Sequence, residues 1–199
     1  MPRLSDKRER LVAAADRLFH EKGYERSTIG DVAGAAEVPP GNVYYYFKTK
    51  EALLSAVVAA RNARIGALLK EMEAAGPAAA LERFIQMFEE DRKIIARRGC
   101  PVGGLCQEGN RLGGLPAEEA VSTMNLMLNW LDGRFLELGL GKKAAHAEAA
   151  SLLARLQGAS LLAQTLLEAR VLKAEAKRLR AGLPLASCDP APDARADDG

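Results

Sequence analysis

Apolar side chains recur along this chain at intervals of three and four residues, and no stretch alternates apolar and polar residues between hairpin turns such as Asn-Gly. That spacing puts apolar groups on one side of a helix and predicts an all-α fold. With 199 residues the chain is long enough for one ample core or two small domains.

The first 50 residues divide into three short helices. Ser5 is a candidate cap for the first, which runs to Lys22 with Leu11, Ala14, Ala15, Leu18 and Phe19 on one face and Gly23 as its stop. Thr28-Ile29-Gly30-Asp31 has the capping-box pattern and opens a second helix, which Glu37 and Pro39-Pro40 break. Pro40 suits the first turn of a third helix, Pro40 to Phe47, in which Val43 and Phe47 lie four apart and face inward.

Beyond this point the helices are longer. A fourth starts at Thr49 and runs toward Met72. A fifth carries Leu81, Phe84, Ile85, Phe88 and Ile95 on one face and stops at Gly99. The glycine-rich stretch from Gly99 to Gly114 predicts a short or broken helix. A long helix follows from Pro116 to Gly139 or Gly141. Another runs from Lys143 to Leu167, then continues or kinks into a last one ending at Leu179. Leu152 to Leu167 is apolar over more of the helix circumference than one core needs, which predicts a second buried face and a homodimer. Residues 185–199 are too poor in large apolar side chains to fold and are expected to be a disordered tail.

Charge excludes a histone-like polycation, because 28 Lys+Arg stand against 26 Asp+Glu, so any nucleic-acid contact must be a local patch. The longest uncharged apolar run, Leu156 to Leu167, is short of the roughly 18 residues that span a bilayer, and no membrane partner is expected. No apolar segment follows the charges at the start, so the cytosol is the expected compartment and Cys100, Cys106 and Cys188 are expected as thiols.

The first three helices with their short turn make a helix-turn-helix. With Val43 and Phe47 inward, Asn42, Tyr45 and Tyr46 remain near solvent, with Tyr44 at the margin, beside Lys48 and Lys50. Phenols and ammonium groups in that arrangement suit phosphate, thymine methyls and charge neutralisation. Composition leaves a second reading open, a tyrosine-rich core corner with ordinary surface lysines.

Arg8 to Val58 resembles the DNA-binding region of the TetR family of transcriptional regulators. The resemblance lies in Ala14-Ala15-Asp16-Arg17-Leu18-Phe19, Lys22-Gly23-Tyr24, Thr28-Ile29-Gly30-Asp31-Val32-Ala33, Ala35-Ala36-Glu37-Val38 and the run from Gly41 through Tyr44-Tyr45-Tyr46-Phe47 to Leu54. It covers about a quarter of the chain and implies a dimeric regulator, more often a repressor, that binds double-stranded operator DNA and answers to a small-molecule effector. It implies a helix-turn-helix domain over 1–48 and a helical effector-binding and dimerisation domain over 49–184. Gly41, Asn42, Tyr44 and Tyr45 carry over as major-groove contacts, and Tyr46, Lys50 and the Thr28 helix start as phosphate contacts, with Lys48 beside them. Pro39-Pro40 departs from the commoner Ser-Lys or Ser-Arg and removes a hydroxyl and a cation. Gly99 to Glu108 is similar, over about ten residues, to a Gly-Cys helix of TetR-type repressors that sense electrophiles and control N-ethylmaleimide reductase.

Candidate effector residues are Phe84, Phe88, Met127 and Trp130 as apolar lining and Cys100 and Cys106 as sensing thiols, each with ordinary core packing as the competing reading. His20 and His146 lie far apart and no Cys/His pair has zinc-site spacing, so no metal and no cofactor are expected. No Ser, His and acid constellation stands out, so no enzyme is expected. The competing function is an α-helical small-molecule or electrophile-binding protein without specific DNA binding.

Overall fold

The computed structural model describes residues 4–183. The expected tail, with Cys188, lies outside the described residues. Among these are ten helices and no strand: α1 (Leu4–Lys22), α2 (Ile29–Ala35), α3 (Pro40–Tyr46), α4 (Lys50–Glu73), α5 (Pro77–Glu90), α6 (Arg92–Arg98), α7 (Pro101–Leu112), α8 (Gly114–Glu137), α9 (Lys142–Leu166) and α10 (Ala169–Ala181).

Local chemistry sets most of the boundaries. Helix α1 begins one residue before the expected Ser5 cap and ends at Gly23, whose φ of +91° is open to glycine. Thr28 caps α2 in a full capping box: its hydroxyl accepts from the Asp31 amide at 3.0 Å, and the Asp31 carboxylate accepts from the Thr28 amide at 2.9 Å. Thr49 caps α4 by accepting from the Ala52 amide at 3.1 Å. Leu167, at φ +56°, ends α9 and turns the chain into α10.

Two cores result. The first gathers Leu11, Ala15 and Phe19 of α1, Val32 and Ala33 of α2, Val43 and Phe47 of and after α3, and Leu53, Leu54, Val57 and Val58 of α4, with Leu105 of α7 joining from the far side. The second joins the far end of α4, through Leu69, to α5, α6, α8, α9 and α10. Helix α4 is the strut shared by both. By length and composition it is also the one described helix apolar enough to cross a membrane, although Arg61 and Arg64 interrupt its apolar run. Here Arg61 is buried, paired with Asp16 of α1 and donating to the Pro101 carbonyl at 2.8 Å.

Two expectations are corrected. The single helix from Leu81 to Gly99 is two, α5 and α6, broken at Asp91. The Arg92 guanidinium takes the Glu89 carbonyl at 2.8 Å, and the Asp91 carbonyl restarts the helix by accepting from Ile94 and Ile95, each at 2.9 Å. The break lets α6 pack on α9 and α10 while α5 packs on α4, α8 and α10. The glycine-rich stretch forms one continuous helix, α7. Gly109 is buried, and a Cβ on Gly103 would lie 2.6 Å from the end of the Gln157 side chain, so α7 runs close to α9 at Gly103.

Candidate nucleic-acid interface

The turn between α2 and α3 is held by α1. Glu37 sits at φ +53°, a conformation uncommon for a residue with a side chain. Arg10 of α1 donates to the carbonyls of Ala36 and Glu37 and pairs with the Glu37 carboxylate at 3.4 Å. Pro39 precedes α3 without a side-chain cap, and Pro40 fixes the first helical φ.

Val43 and Phe47 are buried and anchor α3, which leaves the opposite face free. Tyr44 is 54% and Tyr45 70% exposed. Large aromatic rings rarely stand this open without a partner. Gly41 and Asn42 are exposed on the same helix. Gly41 has no positive φ, and a Cβ there would meet nothing within 4 Å, so neither backbone nor packing within the chain calls for glycine. Tyr46 is half-buried against the first core, its ring edge-on to Tyr45 at 5.1 Å, and Lys48 is exposed.

Two expected contacts are engaged internally. The Thr28 amide and hydroxyl both serve the capping box. Lys50, expected outside the packed face, is half-buried: its ammonium donates to the Glu25 carbonyl at 3.1 Å and lies 4.3 Å from the centre of the Tyr24 ring. Burial lowers its pKa, with the nearby carboxylates of Glu108, Glu25 and Glu51 opposing. Periodicity had no means of showing this contact, because Tyr24 and Lys50 meet only through the tertiary fold.

A cavity of about 200 Å³ opens between α4, α5, α6, α7 and α8, with His20 of α1 at its edge. Ile65, Met87, Phe88, Ile95, Val102 and Met127 form its apolar wall, and Arg64 and Asp91 are exposed charges at its margin. Of the expected effector residues, Phe88, Met127 and Cys100 line it. Phe84, Trp130 and Cys106 do not. Phe84 and Trp130 stack 5.6 Å apart, and the Trp130 N–H donates to Glu73 at 2.9 Å. Cys106 is half-buried between the two cores, where burial raises its thiol pKa. Cys100 caps α7, its Sγ 3.5 Å from the Gly103 amide. Among the described residues no group of three His, Cys, Asp or Glu side chains is placed to hold a metal.

Residues 11–57 match the family model for bacterial regulatory proteins, tetR family. The transcriptional regulator AcuR of Cereibacter sphaeroides is 32% identical over 124 residues, a match that covers 60% of this chain and 55% of AcuR, little more than half of that relative's length. The crystal structure of regulatory protein TetR from Rhodobacter sphaeroides superposes with a TM-score of 0.77 at 25% identity, over 88% of this chain and 98% of that one. Residues 11–57 are a DNA-binding region of the TetR family of transcriptional regulators, and the chain as a whole has the fold of TetR-family regulators. The HTH-type transcriptional repressor NemR of Escherichia coli is 27% identical over 100 residues, half of each chain. The family-model match runs from α1 to the first part of α4 and includes α3.

Proposed function

We propose that this TetR-family chain is a homodimeric repressor that places α3 of each subunit in the major groove of a palindromic operator and lets go when the cavity between α4 and α8 is filled. The observation that carries the reading is the pair of open rings, Tyr44 and Tyr45, on a helix that Val43 and Phe47 lock in place. Gly41, Asn42, Tyr44 and Tyr45 meet base edges and sugar-phosphate, and Tyr46 and Lys48 meet phosphate. Lys50 adds a phosphate contact with the donors left over from its bond to Glu25, and the Thr28 helix start stands beside it. Residues 1–48 carry the DNA contacts, and 49–184 carry the effector cavity and the subunit interface. Half-sites then lie about 34 Å, or a multiple of it, apart.

The effector is small, since the cavity is below the roughly 300–1,000 Å³ of sites for drug-sized ligands. Its apolar wall suits an apolar body, and Cys100 on that wall gives an electrophile a nucleophile to meet. The regulator works in the cytosol. The test is retention of the DNA upstream of the chain's own gene in a gel-shift assay with excess random-sequence competitor. Retention that the competitor cannot abolish is expected. Loss in step with the competitor would overturn the repressor reading in favour of an effector-binding protein without specific DNA recognition.

A further inference from the structure

The turn that joins α1 to α2 is held from the effector side of the molecule. The Glu108 carboxylate, in the second half of α7, accepts from the Tyr24 amide through one oxygen and from the Glu25 amide through the other, each at 2.7 Å. Two short bonds from a charged acceptor to successive amides are the strong kind of hydrogen bond. The fit is close: a Cβ on Gly23 would stand 3.2 Å from both carboxylate oxygens. From the other side Lys50 holds the Glu25 carbonyl. The turn is therefore fixed at both its N–H and its C=O groups, by α7 and by the first residue of α4.

The other end of α7 reaches the cavity. Cys100, Pro101 and Val102 line it, and so does His20 of α1, which donates from Nε2 to the Gly99 carbonyl at 2.9 Å. Arg98, just before α7, pairs with Glu21 of α1 at 2.7 Å. Helix α7 is continuous from Pro101 to Leu112, so a displacement at its cavity end reaches Glu108 without passing through α4.

We infer that Glu108 is a positioning residue for DNA binding, which sets the orientation of the helix-turn-helix through the Tyr24 and Glu25 amides and relays the state of the cavity to it along α7. Glu108 itself touches no DNA. The inference rests on the repressor reading above, and deepens it by giving the regulation a second route beside the shared strut α4.

The test reads the two amides directly, by hydrogen exchange resolved at Tyr24 and Glu25, in the full chain and in Glu108→Ala and Glu108→Gln. Exchange at both amides is expected to quicken by about tenfold or more in Glu108→Ala, the change carried by the loss of one charge-assisted hydrogen bond. Glu108→Gln keeps one acceptor oxygen and is expected to release one amide more than the other. Operator affinity falls in the same order. The relay is read by Met87→Trp, which fills the cavity from α5: it quickens the same two amides in the parent and adds nothing in Glu108→Ala. A structural role alone would give additive effects. Unchanged exchange in both Glu108 variants, unchanged operator affinity despite faster exchange, or amides indifferent to Met87→Trp would each overturn the inference. If the parent retains no specific DNA, the repressor reading fails instead, and the exchange data still decide whether Glu108 holds the turn.

Discussion

The end of α9 carries an exposed apolar patch. Leu152, Leu156, Ala159 and Ala163 of that helix are buried within the protomer, yet Leu161, Leu162, Leu166 and Leu167 stand 50%, 53%, 56% and 75% exposed. Burying a leucine fully from water is worth about 1.5–3 kcal/mol, so each of these half-exposed side chains retains about 1 kcal/mol and the patch about 4–5 kcal/mol. A two-fold axis sets the patch against its own copy and doubles that gain to about 9 kcal/mol, from which the cost of association is drawn. Replacing Leu162 and Leu166 together by Glu removes about half of the gain and gathers four carboxylates in one interface, where an unpaired buried charge costs several kcal/mol. Both positions are exposed in the protomer, so its fold is expected to survive. Sedimentation velocity at micromolar concentration should show monomers for the double variant and dimers for the parent, with equal helicity by circular dichroism. A variant that sediments as an unaltered dimer would refute this placement of the interface.

Two further outcomes follow from the protonation and burial of single groups. Burial, with the Glu51 carboxylate second, pushes the Tyr24 hydroxyl up to about 12. The folded state then keeps a proton that the unfolded state releases above pH 10, so stability is expected to fall from pH 10 to 12, and Tyr24→Phe should lose that part of the fall in denaturant titrations at each pH. In a Cys188→Ser background, maleimide at neutral pH is expected to label Cys100, on the cavity wall, before Cys106, whose thiol burial holds protonated, and to release DNA as Cys100 is modified. First labelling of Cys106, seen by mass spectrometry, would return Cys100 to a packing role.

The helices were legible wherever a local rule sets them. The Thr28 and Thr49 caps, the stop at Gly23 and the inward pair Val43 and Phe47 all depend on residues within one or two turns. The continuity of α7 was not legible, because helix propensity counts its glycines as a cost, whereas the helix is held by tertiary packing against α1 and α8, which lie outside its own sequence. The same limit applies to the site. The open ring of Tyr45 could be placed from periodicity, but Tyr44, expected at the margin, is open and Tyr46, expected near solvent, packs on the first core; nor could it show the Arg10 grip on the Ala36 carbonyl, the inward turn of Lys50 or the Glu108 bonds, which join residues 25 or more apart. Phe84 and Trp130 share helical spacing and apolar character with the cavity-lining Phe88 and Met127, so no pattern in the chain separates wall from core.

On the proposed function, the exposed rings of α3 read DNA and contribute little to the fold. Fluorescence anisotropy of labelled operator, with the parent and with Tyr44→Ala/Tyr45→Ala, tests it most directly when paired with thermal melting. Affinity is expected to fall by about a hundredfold, two contacts of about 1–3 kcal/mol each, while the melting temperature barely moves. A double variant that binds the operator as tightly as the parent would contradict it.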